Sequence, residues 1–111
     1  MFGADTVSKD LDSGCLLFLK RSYGSTALAV EVTNVCENRT YKFKMDGGGK
    51  DILLSNKLPI DVELSPKTFY FLTSTMKHDP ESTAELHFTA NIQVKNNTSV
   101  HFVNLGERDV L

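Results

Sequence analysis

Residues 28–45, LAVEVTNVCENRTYKFKM, decide how the chain is read. Leu28, Val30 and Val32 are apolar at every second position, and Tyr41, Phe43 and Met45 resume the pattern after a polar break. A period of two gives each set one face of a strand, whereas a helix would scatter it. Read as a β-hairpin, the stretch has one register that satisfies both faces. Val32 then lies opposite Tyr41, Val30 opposite Phe43 and Leu28 opposite Met45 on the buried side, with Glu31 opposite Lys42 and Thr33 opposite Thr40 on the wet side. Such cross-strand pairs contribute about 0.2–1 kcal/mol each, and a slip by one residue would set apolar against polar throughout. The remaining loop, Val35–Asn38, has an ordinary hairpin length.

The same alternation extends outward. Leu86, Phe88, Ala90, Ile92 and Val94 share one parity, and His87, Asn91 and Gln93 the other. Val100 and Phe102 follow the turn Asn96-Asn97-Thr98, so pairing Val94 with Val100 and Ile92 with Phe102 keeps both on the core side. Ile60, Val62 and Leu64 alternate with Asp61 and Glu63 between Pro59 and Pro66, and Thr68–Thr75, TFYFLTST, has the aromatic and β-branched content of a strand. Cys15–Lys20 reads as a short buried strand, and Ile52–Leu54 is a brief apolar segment. The run Asp46-Gly47-Gly48-Gly49-Lys50-Asp51 reads as a flexible loop, because three glycines weaken any regular element. Residues 1–14 lack a sustained period and are taken as an arm or linker, residues 15–105 as the domain, and residues 106–111 as a tail. Seven or eight short strands and no credible helix predict an all-β chain, an antiparallel β-sandwich of immunoglobulin-like or C2-like type. The absence of tryptophan disfavours the antibody-type subfamily.

With 111 residues, 41% of them apolar and 23% charged, the chain suits one domain with a core of its own. A formal net charge of -2 leaves no cationic footprint for phosphate backbones, so nucleic acid is not the expected partner. No apolar run approaches the roughly 18 residues of a transmembrane segment. Two cysteines, Cys15 and Cys36, can join only if their strands are neighbours with coincident ends, and the sequence leaves this open. Asn38-Arg39-Thr40, Asn96-Asn97-Thr98 and Asn97-Thr98-Ser99 fit the N-glycosylation pattern. MFGADTVSKD lacks the apolar core of a secretory signal, so the setting expected is cytoplasmic, with an extracellular one as the alternative to which these triplets point.

Candidate chemistry is sparse. A nucleophilic triad would draw on Cys15 or Cys36 with His78, His87 or His101, and no local sequence supports a pairing. His87 and His101 lie on outward faces in the register above, about 20 Å apart at the strand rise, too far for one metal. Lys50 after the glycines is followed by Asp51 rather than Ser or Thr, so the phosphate-loop pattern fails. Asp46, Asp51, Asp79 and Glu81 occupy two loops that would supply calcium ligands in a C2-like domain if they met at one end. The expectation is no catalytic residue, no metal and no cofactor.

From Val30 to His87 the order VEVTN, an aspartate before a turn, SNKLP and a proline-led aromatic strand resembles the β-sandwich domain that closes small-optic-lobes-type calpains, on positions such as Asn34, Asp46, Ser55 and Pro66. VEVTN followed by YKFKM is equally similar to the appendage sandwiches of membrane-trafficking and sperm-protein-like modules. Both resemblances imply a non-catalytic domain attached to, or recruited by, something larger; the alternatives are a C2-like calcium- or membrane-binding domain or a regulatory domain of a cysteine protease. A protein-interaction module would work through an edge strand or loop cluster. Ile60–Leu64 is guarded by proline and charge, whereas Thr68–Thr75 is uncharged. If Phe69 and Phe71 face the core, Tyr70 and Leu72 face outward, and the surface around Tyr70 and Leu72 is the expected contact with a protein partner.

Overall fold

The computed structural model describes residues 4–24 and 26–110, with the backbone alone at 4–5 and 106–110. Among them nine strands form in chain order: β1 (Ala4–Asp12), β2 (Leu16–Tyr23), β3 (Ala27–Asn34), β4 (Tyr41–Lys50), β5 (Ile52–Leu54), β6 (Ile60–Leu64), β7 (Thr68–Lys77), β8 (Glu85–Val94) and β9 (His101–Val110). They make two antiparallel sheets, a five-stranded one in the order β1-β2-β3-β7-β5 and a four-stranded one in the order β6-β4-β8-β9. The inward parities of both sheets supply one core, which includes Leu16, Phe18, Val30, Val32, Tyr41, Phe43, Met45, Leu86, Phe88 and Ile92. The expected antiparallel β-sandwich is therefore present. No helix of the described residues is long and apolar enough to cross a membrane.

Residues 28–45 form two strands, as their period requires, but not a hairpin. β3 pairs with β2 and β7, and β4 pairs with β6 and β8, so the chain crosses from one sheet to the other between them. The apolar sets face each other through the core rather than side by side. Lys42 is opposite Glu63 and Gln93, and Glu31 is opposite Leu19 and Phe71 while its carboxylate pairs with Arg21 at 3.2 Å. The assignment of Phe43 to the core and Lys42 to the surface holds, because facing sheets and paired strands demand the same parity. Asn34 builds the crossing. Its buried amide donates to the carbonyls of Arg39 (2.7 Å), Leu64 (3.2 Å) and Ser65 (3.1 Å), and its Oδ1 accepts from Cys36 N at 3.1 Å. A disulfide between Cys15 and Cys36, with Cα atoms 5.0 Å apart, closes the same end, since β2 and β3 are neighbours whose ends coincide there.

Four further expectations are corrected. Of residues 1–14, read as an arm, residues 4–12 are the edge strand β1 on β2; of the tail read at 106–111, residues 106–110 continue β9, and residues 1–3 and 111 lie outside the described residues. The glycine run is not a loop but the second half of β4, with Gly47, Gly48 and Gly49 opposite Phe88, His87 and Leu86. Glycine is needed there because a Cβ on Gly47 would collide with the carbonyl of His87, and one on Gly49 with that of Glu85. Finally, β8 and β9 pair Ile92 with His101 and Asn91 with Phe102, one residue from the expected register. Asn96 adopts the left-handed region (φ 71°) and Asn97 N donates to Val94 O at 3.0 Å, so the turn places Val103 and Leu105 on the inner side and leaves Val100 and Phe102 exposed.

Candidate interaction surface

The outer faces of the two sheets differ in chemistry. On the four-stranded sheet Lys42 faces Glu63 and Lys44 faces Asp61 across β4 and β6, with Asn91 and Gln93 beside them on β8. Charges alternate over β4 and β6, while toward β9 the same face exposes Phe102, opposite Asn91, and Val100 stands beside it. On the five-stranded sheet the registers of β2, β3 and β7 line up Leu17, Thr33 and Phe69 in one row and Leu19, Glu31 and Phe71 in the next. Nearer the other end, Tyr23, Ala27 and Met76 form a row that Leu53 of β5 extends. Phe69 is 69% exposed, Met76 55% and Leu53 50%. The outward residues of β2, β3 and β7 include two charges, Arg21 and Glu31, and these pair with each other. Small Ala27 and Ala29 floor a shallow depression walled by Tyr23, Leu53 and Met76.

A bulge explains why the aromatic strand presents this face. Glu31 is opposite Phe71 and Val30 opposite Thr73, so Leu72 is the extra residue and the parity of β7 reverses around it. Phe69 and Phe71 therefore point outward, and Leu72 is fully buried next to buried Thr73. The expectation that Leu72 faces solvent is corrected: TFYFLTST has no polar alternation from which the faces could be told apart. Tyr70, opposite inward-facing Val32, keeps 44% exposure. β5 pairs with β7 over Thr75–Lys77, and Asn56 extends the cover by donating its side-chain amide to Leu72 O at 2.8 Å. Among the described residues the segment Phe69–Phe71 has no strand on that side. Backbone groups of an antiparallel strand alternate in direction, so part of those of Phe69–Phe71 face this open edge.

The remaining candidates fall elsewhere. His78 and His87 are exposed on a turn and on the charged face, and exposed His101 stands at the mouth between β1 and β9, near Leu11, Asp12 and Val103. The two acidic loops do meet, through His78 N on Asp51 O at 2.9 Å, but the Asp79 carboxylate caps Glu81 N. Among the described residues no three His, Cys, Asp or Glu side chains converge at metal-binding spacing. One polar cluster ties the sheets together at the disulfide end. The buried Tyr41 hydroxyl donates to Asp12 Oδ2 of β1, which also receives Arg39 Nη1 at 3.1 Å. Burial above all, and then the bond to Asp12, push the Tyr41 phenol above its ordinary range, with Arg39 opposing.

No family model and no curated protein matches the chain. Among solved structures, the GAE domain of yeast GGA1 is similar over 92% of this chain and 99% of that one, with a TM-score of 0.53 at 14% identity. GAE stands for gamma-adaptin ear, a β-sandwich appendage domain. At this identity the likeness is one of fold. It supports the sandwich common to both resemblances read in the sequence and carries no link to calpains.

Proposed function

We propose that this chain is a non-catalytic protein-interaction module whose working surface is the outer face of β2, β3 and β7 together with the open edge of β7 at Phe69–Phe71. The observation that carries the reading is the contrast between the two faces of one sandwich. One sets Lys42 against Glu63 and Lys44 against Asp61 and exposes Phe102 and Val100 only toward β9, while the other exposes Phe69, Phe71, Tyr23, Met76 and Leu53 around a single internal ion pair. Exposed apolar clusters on both sides of the Arg21–Glu31 pair mark an interaction site, and protein contacts favour aromatic and methionine side chains. Tyr70 belongs to the surface at its edge, and buried Leu72 supports it from beneath. The open edge suits an extended segment that adds as a strand. The sole arginine of the face is held by Glu31, which argues against nucleic acid as the partner.

The test is selection of peptides from a random displayed library on the wild-type chain and on Phe69→Ser/Phe71→Ser. Both side chains are exposed, so the double variant should melt within about 1 kcal/mol of wild type. Peptides enriched on wild type should lose binding to the variant and keep it to Lys44→Ser on the opposite face. Equal binding to all three proteins would overturn the reading.

A further inference from the structure

We infer that Asn38 and Asn97 are N-glycosylation sites, and that the chain acquires its Cys15–Cys36 disulfide in an oxidising compartment. Two independent observations carry this, and a third chooses the acceptor. The chain has two cysteines and both are consumed in one bond, leaving no free thiol. That usage is characteristic of secreted and extracellular domains, because cytosolic thiols are kept reduced. The second observation is where the asparagines fall. Asn38, Asn96 and Asn97 head Asn-x-Ser/Thr triplets, and all three are exposed in loops. Of the asparagines outside such triplets, Asn34 is buried in its network and Asn91 and Asn104 lie within strands, while Asn56, also exposed in a loop, has its amide nitrogen engaged on Leu72 O.

Third, the local geometry selects between the overlapping triplets at 96–99. Ser99 N donates to Asn97 Oδ1 at 2.9 Å, so the triplet Asn97-Thr98-Ser99 is folded back on its own amide oxygen, with the amide nitrogen left as the reacting atom. Asn96, with its φ of 71°, is committed to the turn itself. The triplet at Asn38 lies two residues from the bridged Cys36, on the loop that crosses between the sheets. Both sites are at one end of the sandwich, since Lys95 N donates to Thr40 O at 2.8 Å.

In each transfer the asparagine Nδ2 forms a C–N bond to the anomeric carbon of an oligosaccharide carried on a lipid pyrophosphate. The C–O bond to the pyrophosphate breaks, the lipid pyrophosphate leaves with the electron pair, and Nδ2 gives up one proton to a base. In the disulfide step the two thiols lose two protons and two electrons to a disulfide-bearing oxidoreductase, which becomes a dithiol.

The experiment uses the full gene product purified from the cells that make it. The protein is alkylated with iodoacetamide without reductant, then treated with peptide N-glycosidase, and its mass is read at each step. The expected result is no alkylation at either cysteine until reductant is added, a fall in mass on glycosidase treatment, and aspartate at positions 38 and 97 afterwards. Asn38→Gln and Asn97→Gln should each remove one glycan, whereas Thr98→Val, which destroys only the Asn96 triplet, should leave both. Alkylation of both cysteines without reductant, or a mass that glycosidase does not change, would overturn the inference in favour of the cytoplasmic setting. Loss of a glycan on Thr98→Val would overturn the assignment to Asn97.

Discussion

Asn34 and Tyr41 show how single residues hold the two sheets in place. Asn34 is apolar in neither character nor size, yet it is fully buried and satisfies three carbonyls and one N–H where the chain leaves β3. Its replacement by alanine would strand the buried Leu64 carbonyl, at about 1–3 kcal/mol, and free the partly buried carbonyls of Arg39 and Ser65 as well. We expect Asn34→Ala to lower stability by about 3 kcal/mol in urea titrations, far more than Asn91→Ala on the exposed face; equal losses would remove Asn34 from its role in the crossing. Tyr41 makes a prediction about pH. Its phenol titrates above the unfolded value, so the folded chain holds that proton more tightly. The resulting stability is complete below the ordinary tyrosine range, about pH 10, and fades as pH rises through the folded value. Wild type should therefore lose stability relative to Tyr41→Phe above about pH 10, and the variant should lack the latest-ionising part of the alkaline absorbance change near 295 nm. A stability difference that stays constant from neutral to alkaline pH would contradict this.

At the scale of elements, period-two patterns were legible and their partners were not. The alternations at Leu28–Val32, Tyr41–Met45, Ile60–Leu64 and Leu86–Val94 all became strands with the expected inner faces. Parity, however, is identical for strands that pair and strands that face each other, so the crossing at Asn34 could not be told from a hairpin. The proposed contact surface is half legible for a similar reason. The uncharged strand was recognised, but its bulge at Leu72 reversed the faces, and a bulge leaves no mark in TFYFLTST. The glycine run does not look like a strand in the sequence, because the close approach of β8 that requires glycine there comes from the tertiary structure. That approach is selective: a Cβ on Gly48 meets nothing within 4 Å, whereas one on Gly49 strikes the carbonyl of Glu85. Gly48→Ala should change stability by no more than about 1 kcal/mol and in the stabilising direction. Gly49→Ala must move backbone and should cost more than about 2 kcal/mol, so equal melting temperatures for the two variants would place this part of β4 away from β8.

The whole molecule is closed differently at its two ends, and the disulfide end can be tested for how it contributes. There the backbone already binds itself, with Val35 N on Cys15 O at 2.8 Å and Lys67 N on Cys36 O at 3.2 Å, and the Asn34 network lies alongside. We therefore expect the native geometry to survive loss of the sulfur bond and the bond to act chiefly on the unfolded chain. Its two cysteines are 21 residues apart, and closing a loop of about that length removes unfolded-state entropy worth about 3 kcal/mol. Cys15→Ser/Cys36→Ser should thus fold to the same sandwich, with an unchanged far-ultraviolet spectrum, and lose about 2–4 kcal/mol. The sensitive readout is the denaturant slope. An unfolded chain released from its cross-link exposes more surface, and the slope rises with the surface exposed. We expect a steeper urea dependence in the double variant together with unchanged peptide binding at Phe69 and Phe71. A loss of stability at constant slope, accompanied by loss of that binding, would instead mean that the bridge shapes the native end of β7 and with it the apolar face.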